Sequence, residues 1–305
     1  MKERYEFTQN EIETIRSRFG NDFYEKVLSV IQTYSDKWEL NDFQLIPSYS
    51  ANLVVRCHSA HFGSAVLKIG NPASISTEYE TLSQYKGRRF CKGHDVDVEN
   101  GVILEECVRP GTSLRDEASL HKRLTVFSSL YNGLHIEPKK TDIYPTYTGW
   151  VSRITDYMSK REDCPEMYLH MRKAKDICLA VASLYSQKML LHGDFHHDNI
   201  LLSGHDIYKI IDPKGVIGDP VFDVPRFILN EFEDAKTQEL HEKIIEIISI
   251  LAKSLHIPKQ ILKQCLYVET AMGVCWSVED GATPEEYAQL VTNAAFAEAI
   301  MHTAF

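Results

Sequence analysis

Two neighbouring stretches decide the fold of this chain: HGDFHHDNILL at residues 192–202 and KIIDPKG at residues 209–215. In the first, Asp194 and Asn199 have the spacing with which phosphoryl-transfer enzymes place a proton-accepting aspartate and a magnesium-binding asparagine. In the second, Asp212 ends a short apolar run, where a second carboxylate for the same ion has to lie. Asparagine and aspartate oxygens are hard ligands that suit Mg²⁺ rather than Zn²⁺. The two stretches together predict a magnesium-dependent phosphoryl-transfer site.

The three histidines of the first stretch leave two other interpretations open. A zinc hydrolase needs about three converging ligands and one open position. His192, His196 and His197 match neither HExxH nor a paired zinc pattern. A polar turn before a hairpin accounts for the same histidines without any chemistry. The phosphoryl-transfer interpretation therefore depends on partner residues elsewhere in the chain.

Candidate partners lie upstream in the order that this interpretation requires. The apolar strand SAVLKIG carries Lys68, which would bind the α- and β-phosphates of a nucleotide and is otherwise an ordinary strand lysine. The helical stretch after it carries Glu78, which would hold that lysine, whereas Glu80 lies on another side of the helix. Farther on, the strand around Glu105 and Cys107 would offer backbone groups to an adenine ring. This order of features favours a nucleotide-dependent kinase.

Composition limits the kind of protein. The 305 residues suffice for two lobes, and a hydrophobic content of 44% supports a packed core. The absence of an apolar run of about 18 residues and of an N-terminal signal sequence predicts a cytoplasmic protein without a membrane partner. A net charge of −10 without a basic block argues against nucleic-acid binding. Seven cysteines without CxxC spacing argue against a zinc module and a disulfide scaffold.

A sheet-rich first third followed by a mostly helical remainder predicts the α+β class. Residues 95–107 are typical of a hairpin because Asn100 and Gly101 supply its turn. From Leu114 onward, apolar residues recur mainly at helical spacing. The other predicted elements are strands at 43–47, 52–58 and 64–70, a helix at 75–85 and a second hairpin at 199–212.

The start of the chain predicts an amphipathic helix with Ile12, Ile15 and Phe19 along one side. We place an N-terminal lobe at residues 1–106, containing N-terminal helices and the nucleotide-binding sheet. A helical C-terminal lobe at residues 107–305 would carry the catalytic loop, the metal hairpin and the acceptor site.

Several motifs resemble those of the aminoglycoside phosphotransferase family, within the protein-kinase-like superfamily. LHGDFHHDNIL resembles the family's catalytic loop, and IDPKGVIGDPVFDV resembles its metal segment, with a proline after the metal-binding aspartate. ILEECVRPGTSL and CWSVEDG are similar to stretches of the streptomycin 6-phosphotransferase and hydroxyurea phosphotransferase branch. The motifs extend from about Ser48 to Gly281.

The resemblance implies a bilobal protein-kinase-like fold, with a small antiparallel-sheet N-lobe carrying one key helix and a larger, mainly helical C-lobe. It implies ATP or GTP with Mg²⁺ as phosphoryl donor. It also implies Asp194 as catalytic base, Asn199 and Asp212 as metal ligands, and Lys68 as the phosphate contact oriented by Glu78. The residues expected to support the catalytic loop are His192, His196 and Asp223.

The phosphate loop departs from the protein-kinase pattern. PSYSANLVV contains no glycine, whereas protein kinases carry GxGxxG there. Ser50 and Asn52 are the predicted nucleotide contacts, since Ser48, Ser50 and Asn52 offer side-chain or backbone donors.

An acceptor site for a cationic sugar would need carboxylates and an aromatic ring near the catalytic aspartate. Trp276, Glu279 and Asp280 supply both in one short segment. The competing interpretation is a plain helix end, because Asp280-Gly281 can stop one helix before another starts. The acidic stretches RED at residues 161–163 and NEFED at residues 230–234 are expected on the solvated surface.

The leading hypothesis is an ATP-dependent O-phosphotransferase acting on a small cationic hydroxyl compound, foremost a streptomycin-like aminoglycoside, with antibiotic resistance as its role. The alternative is a metabolite kinase of the same fold with a non-antibiotic acceptor. A catalytically silent nucleotide-binding module would not need Asp194, and a zinc hydrolase leaves Lys68 and Asp212 unexplained. A monomer is expected.

Overall fold

The computed structural model describes residues 5–47 and 51–304. The chain forms two compact units, Met1–Gly111 with Leu202–Ile211, and Thr112–Leu201 with Asp212–Phe305. The predicted lobe boundary between residues 106 and 107 stays a prediction, and the sequence did not indicate that 202–211 belong with the first unit. The helices are α1 (Gln9–Phe19), α2 (Asn21–Lys37), α3 (Pro72–Tyr85), α4 (Leu120–Tyr131), α5 (Tyr147–Met158), α6 (Pro165–Leu184), α7 (Pro225–Leu229), α8 (Gln238–Leu255), α9 (Lys259–Glu279) and α10 (Tyr287–His302). The strands are β1 (Leu40–Ile46), β2 (Leu53–Ser59), β3 (Gly63–Ile69), β4 (Gly93–Asp97), β5 (Val102–Glu106), β6 (Met189–Leu191), β7 (Ile200–Leu202), β8 (Tyr208–Ile210) and β9 (Val216–Gly218).

The first unit is built on an antiparallel sheet with the strand order β1-β2-β3-β5-β4. All the strands predicted for this region are present, and β1 begins at Leu40, ahead of the predicted start. The predicted turn lies between β4 and β5, where Gly101 has a φ of 65°, a left-handed conformation that glycine adopts without strain. The predicted hairpin is therefore confirmed.

The N-terminal helices α1 and α2 belong to the core of the first unit. Ile15 of α1 and Val27 of α2 are fully buried in one cluster with Leu53, Val55 and Leu67 of the sheet. The predicted amphipathic helix is confirmed, since the other members of its apolar side, Ile12 and Phe19, pack against the same cluster. These two helices therefore remove one face of the sheet from water, which is the main stabilising contribution of such packing.

Helix α3 starts at a well-defined N-cap. Asn71 accepts a hydrogen bond from the backbone amide of Ala73 at 2.9 Å, and Pro72 takes the first helical position, where no amide hydrogen is needed. Residues spaced three or four apart lie on one face of a helix, and the buried face of α3 includes Ile75, Glu78 and Leu82. The helix therefore carries Glu78 into the interior of the unit.

The second unit is mainly helical, as predicted. Helix α9 packs against α6 and α10, and most of its residues are buried. It ends at Glu279, with Asp280 as its C-cap, so CWSVEDG does form a helix end, and the acceptor role of its residues stays a prediction. A β6–β9 pair that the sequence did not suggest joins Leu190 to Ile217. This combination of an antiparallel sheet and a mainly helical unit confirms the predicted α+β class.

The seven cysteines are all buried and form no disulfide. Across residues 5–47 and 51–304, no helix has both the length and the apolar character that a membrane crossing needs.

Candidate active site

Lys68 of β3 is buried between two carboxylates of the first unit. Its ammonium group contacts Glu78 of α3 and lies 3.1 Å from Oε2 of Glu105 on β5. The sheet register explains the second contact. Glu105 lies directly opposite Val66, so their side chains are on the same face of the sheet. Lys68 is two residues further along β3 and therefore shares that face. The structure therefore brings the predicted lysine and glutamate together and adds a second glutamate.

Glu105 and Cys107 were expected to present backbone groups to the adenine ring, and that role stays a prediction. The side chain of Glu105 is buried, and its second oxygen, Oε1, has no hydrogen-bond partner among the residues that the structure describes. The amide of Cys107 donates to the carbonyl of Ser64 at 3.2 Å, which fixes the chain just beyond β5.

Of the two predicted phosphate-loop contacts, Ser50 lies outside the described residues. Asn52 is buried, and its Oδ1 has no hydrogen-bond partner within the described ranges. The side-chain amide of Asn52 packs directly against Gly70: a Cβ added at position 70 would lie only 1.8 Å from the Oδ1 atom of Asn52. Gly70 therefore provides the space for Asn52 at the end of β3.

The catalytic loop, residues 192–199, is fixed by Asp223 in the second unit. The Asp223 carboxylate accepts hydrogen bonds from the backbone amides of His192 and Gly193, both at 2.8 Å, and lies 2.9 Å from Nε2 of His135. Burial alone would raise the pKa of Asp223, but the hydrogen bond and charge of His135 hold it below its usual value. Asp223 thus holds the loop backbone in the way expected of a structural brace.

Gly193 has to be glycine. Its φ of 80° is left-handed, and a Cβ there would lie 2.9 Å from the ring of Trp150 and 3.0 Å from the side chain of Val216. The amide of the next residue, Asp194, donates to Nδ1 of His192 at 3.1 Å. The sharp turn before Asp194 is therefore defined by a glycine and a buried histidine.

Asp194 is held by an arginine and a histidine. Its Oδ1 accepts a hydrogen bond from Nε of Arg226 at 2.7 Å and lies 3.5 Å from Nε2 of His196. Burial would raise the pKa of Asp194, but the hydrogen bond of His196 and the charge of Arg226 lower it far below the usual range. Burial would lower the pKa of His196, but its contacts with the carboxylates of Asp194 and Asp198 raise it. Asp194 is therefore a carboxylate at neutral pH.

The two predicted metal ligands, Asn199 and Asp212, are positioned by different hydrogen bonds. Nδ2 of Asn199 donates to the carbonyl of Asp194 at 2.8 Å, which turns its amide oxygen away from that carbonyl. Asp212 has a left-handed φ of 56°, a strained conformation for a residue with a Cβ. The amide of Lys214 donates to the carbonyl of His192 at 2.8 Å, and its Nζ lies 2.7 Å from Asp212. An amide oxygen and a carboxylate are donors that fit Mg²⁺.

The histidines do not converge as a zinc site requires. His192 accepts a backbone hydrogen bond, His196 lies between Asp194 and Asp198, and Nε2 of His197 lies 2.9 Å from Glu231. In the described part of the chain, no group of three or more His, Cys, Asp or Glu side chains could hold a metal ion. The zinc hydrolase interpretation therefore has no support in the geometry.

The stretch 230–234 was expected on the solvated surface. Glu233 and Asp234 are exposed, but for Glu231 the expectation is wrong. Glu231 is buried between His197 and Arg123, with its two oxygens 2.9 Å from Nε and 3.0 Å from Nη2 of the arginine. Burial would raise the pKa of Glu231, but these two partners lower it to about 2. The partners lie 34 and 108 positions away, so the local sequence gave no signal of the pairing.

A cavity of about 360 Å³ lies beside Arg226 in the second unit, and Trp276 and Asp280 are among its lining residues. Glu279, the third predicted acceptor residue, does not line this cavity. Its carboxylate instead pairs with both terminal nitrogens of Arg153, at 2.6 and 2.8 Å. Two of the three predicted residues are thus brought together with the arginine that contacts Asp194.

Arg226 is the contact residue that the sequence analysis missed. Besides Asp194, its guanidinium lies 3.4 Å from Oε1 of Glu269, whose Oε2 accepts a hydrogen bond from the hydroxyl of Tyr147 at 2.7 Å. Burial raises the pKa of Glu269, although the charge of Arg226 acts in the opposite direction. No spacing rule predicts this series of side-chain contacts, because Arg226 lies on a separate short helix, α7, beyond Asp223.

Comparison with known proteins decides the family. The model of the family described as aminoglycoside/hydroxyurea antibiotic resistance kinase matches residues 37–281. The chain belongs to this family. The family inferred from the sequence is thereby confirmed, and so is its class as a small-molecule phosphotransferase.

Two named relatives show how far this chain has diverged in sequence. The chain is 24% identical to streptomycin 6-kinase of Streptomyces griseus over 273 residues, covering 86% of this chain and 87% of the relative. It is 22% identical to hydroxyurea phosphotransferase of Kitasatospora aureofaciens over 279 residues, covering 87% and 78%.

Solved structures confirm the kinase-like fold. Aminoglycoside phosphotransferase APH(4)-Ia, in a ternary complex with ADP and hygromycin B, matches with a TM-score of 0.62 and 14% identity, covering 90% of this chain and 98% of that one. Choline kinase LicA of Streptococcus pneumoniae matches with a TM-score of 0.59 and 15% identity, covering 92% and 99%. Because the two act on different acceptors according to their names, the shared fold does not select an acceptor.

Proposed function

We propose that this kinase transfers the γ-phosphoryl group of ATP, or of GTP, to a hydroxyl of a small molecule. The observation that supports this most is the ionised carboxylate of Asp194, held by Arg226, which itself lines the cavity of the second unit. An alcohol in that cavity would be near a base of suitable charge. Asp194 accepts the proton of this hydroxyl, Asn199 and Asp212 are the magnesium ligands, and Lys68 binds the nucleotide phosphates.

Phosphoryl transfer asks the protein mainly for placement and for cancellation of oxygen charge. The bound metal ion supplies charge neutralisation on the phosphates. Because the pKa of Asp194 is low, its carboxylate is ionised and orients the acceptor hydroxyl by accepting its hydrogen bond. It takes the hydroxyl proton as the new oxygen–phosphorus bond forms and the bond from the γ-phosphorus to the departing nucleoside diphosphate breaks. Asp223 keeps the loop backbone in place during this step.

We propose a streptomycin-like aminoglycoside as the acceptor, with a cytoplasmic monomer as the acting form. Two relatives named streptomycin 6-kinase support this choice. Trp276 and Asp280 would receive a cationic group of the acceptor by ring and charge contacts. The alternative, a metabolite kinase, is favoured by one observation: Arg153 neutralises Glu279, so the acidic character of this segment is weaker than the sequence suggested.

An acceptor screen tests the proposal. Purified protein with ATP and Mg²⁺ is incubated with streptomycin, other aminoglycosides, hydroxyurea, choline and a panel of hydroxylated metabolites, and ADP release is measured. We expect release that depends on streptomycin, with one phosphoryl group found on the product by mass spectrometry. A signal from a single metabolite alone would select the alternative. If no compound raised ADP release above the rate with water alone, both the aminoglycoside and the metabolite hypotheses would be contradicted.

Replacing Arg226 with glutamine is expected to lower kcat by on the order of 10–100-fold, since a misplaced base costs that much. Removing the guanidinium also removes a charge that lowers the pKa of Asp194, so this pKa rises. Because the active form is the carboxylate, the acid limb of the pH–rate profile moves to higher pH. Both effects are measured by steady-state kinetics across pH.

Arg161→Gln is the matched control for this prediction. Arg161 pairs with Asp163 on the surface of the same unit, at 2.6 Å, and has no contact with Asp194 among its described hydrogen bonds. It should leave both kcat and the acid limb unchanged. A loss of kcat in Arg226→Gln without any movement of the acid limb would mean that Arg226 does not act through the charge of Asp194.

A further inference from the structure

The lysine predicted to bind the nucleotide phosphates has one more anionic partner than that task needs. Lys68, Glu78 and Glu105 are all buried within the first unit, with 5%, 4% and 2% of their surfaces exposed. A single ammonium group therefore lies between two carboxylates. From the sequence, Glu78 was expected in this place, whereas Glu105 was expected to offer only backbone groups.

The charges of this group matter because water does not screen them. The formal charges of the three side chains sum to −1 in an interior where charge interactions are strong. A nucleotide phosphate that approached Lys68 would meet this excess negative charge. One carboxylate is enough to orient the lysine, so the second has a different effect.

Glu105 is the less firmly held of the two carboxylates. Its Oε2 contacts Lys68 at 3.1 Å, while Oε1 is buried without a hydrogen-bond partner in the described ranges. A buried carboxylate oxygen without a donor is unfavourable. Glu78, by contrast, is carried by the buried face of α3 together with Ile75 and Leu82. Glu105 is therefore the carboxylate that Lys68 can exchange at lower cost.

We propose that Glu105 competes with the nucleotide phosphates for Lys68 and thereby weakens nucleotide binding. When a nucleotide binds, Lys68 keeps its contact with Glu78 and exchanges Glu105 for a phosphate oxygen. Glu105 is thus a residue that sets nucleotide affinity, and it acts through Lys68. This inference rests on the proposed role of Lys68 in phosphate binding.

The test is nucleotide binding by Glu105→Gln, measured by isothermal titration calorimetry without any acceptor. Glutamine keeps the shape of the side chain and removes its charge, so Lys68 is released toward the phosphates. We expect the Kd for Mg-ATP and Mg-ADP to fall by about tenfold, because a buried like charge is removed from the phosphate site. The Kd for adenosine, which has no phosphate, should stay within twofold, or about 0.4 kcal/mol.

Glu80→Gln is the matched control, since Glu80 lies on the same helix as Glu78 and the substitution removes the same charge from the same unit. It should leave the Kd for Mg-ATP unchanged. Glu105→Met, which replaces the carboxylate by an apolar side chain of similar length, gives a second variant should the glutamine protein fold poorly. It should also bind Mg-ATP more tightly than the wild type.

The outcomes separate this inference from the proposed function. If the wild type binds Mg-ATP but neither Glu105 variant binds it more tightly, the proposed competition by Glu105 is wrong, while the proposed function stands. Tightening of adenosine by the same factor as ATP also overturns it, as does weaker binding of both, which would mean that Glu105 contacts the base. Failure of the wild type and of both variants to bind Mg-ATP contradicts the proposed function itself.

Discussion

Asp194→Asn is expected to lower turnover by on the order of 10²–10⁴-fold, the usual contribution of a general base. Asparagine keeps the size of the side chain but cannot accept the proton of the acceptor hydroxyl. In the wild type, Arg226 donates a hydrogen bond to this carboxylate at 2.7 Å; the variant loses that ion pair, so the position of the arginine side chain changes. The measurement is kcat with the acceptor found in the screen, together with the Kd for Mg-ATP, which should be nearly unchanged.

Asp198→Asn serves as the control within the same loop. Asp198 is 46% exposed and pairs with Arg115 and, at 3.5 Å, with His196, but not with Arg226, so its loss should cost far less activity. Equal kcat values for wild type and Asp194→Asn would rule out Asp194 as the base. Equal losses in both variants would indicate a general disturbance of the loop instead.

Asp212→Asn is expected to abolish metal-dependent nucleotide binding. The substitution removes the carboxylate that would bind Mg²⁺. It also removes the anionic partner that lies 2.7 Å from the ammonium group of Lys214 in the wild type. The measurement is a titration with ATP in the presence of Mg²⁺ and again in EDTA. The wild type should bind more tightly with the metal, whereas the variant should show the same weak binding in both.

Asp206→Asn controls for the backbone at Asp212. Asp206 is an exposed residue of the β7–β8 turn with a φ of 51°, close to the 56° of Asp212. Asparagine adopts this left-handed conformation readily, so neither substitution adds backbone strain. Retained Mg²⁺ dependence in Asp212→Asn would show that the ion is bound by other groups.

The parts of the site that could be predicted are those that local sequence determines. Asp194 and Asn199 lie in one loop, and Lys68 and Glu78 lie ten residues apart on a strand and the next helix. Strand alternation and helical spacing place such residues without knowledge of distant contacts. The same reasoning applied to β5 would have placed the side chain of Glu105 on the face of Lys68.

The parts that could not be predicted depend on contacts between distant elements. Arg153 and Glu279 are 126 positions apart, and their pairing turned a predicted acceptor residue toward another helix. Arg226 reaches Asp194 across 32 positions from a helix of five residues. Glu231 was misplaced because acidic clusters are usually solvated, and only its distant cationic partners make burial tolerable.

The packing of the chain ends has a practical consequence for engineering. The family similarity spans residues 37–281, yet α1 and most of α2 precede it and α10 follows it. A gene trimmed to those limits would bare the apolar surface of the sheet that the first two helices cover, and also the side of α9 against which α10 packs. Large bare apolar surfaces promote aggregation. Fusion partners and shortened versions should therefore be designed outside Gln9 and His302.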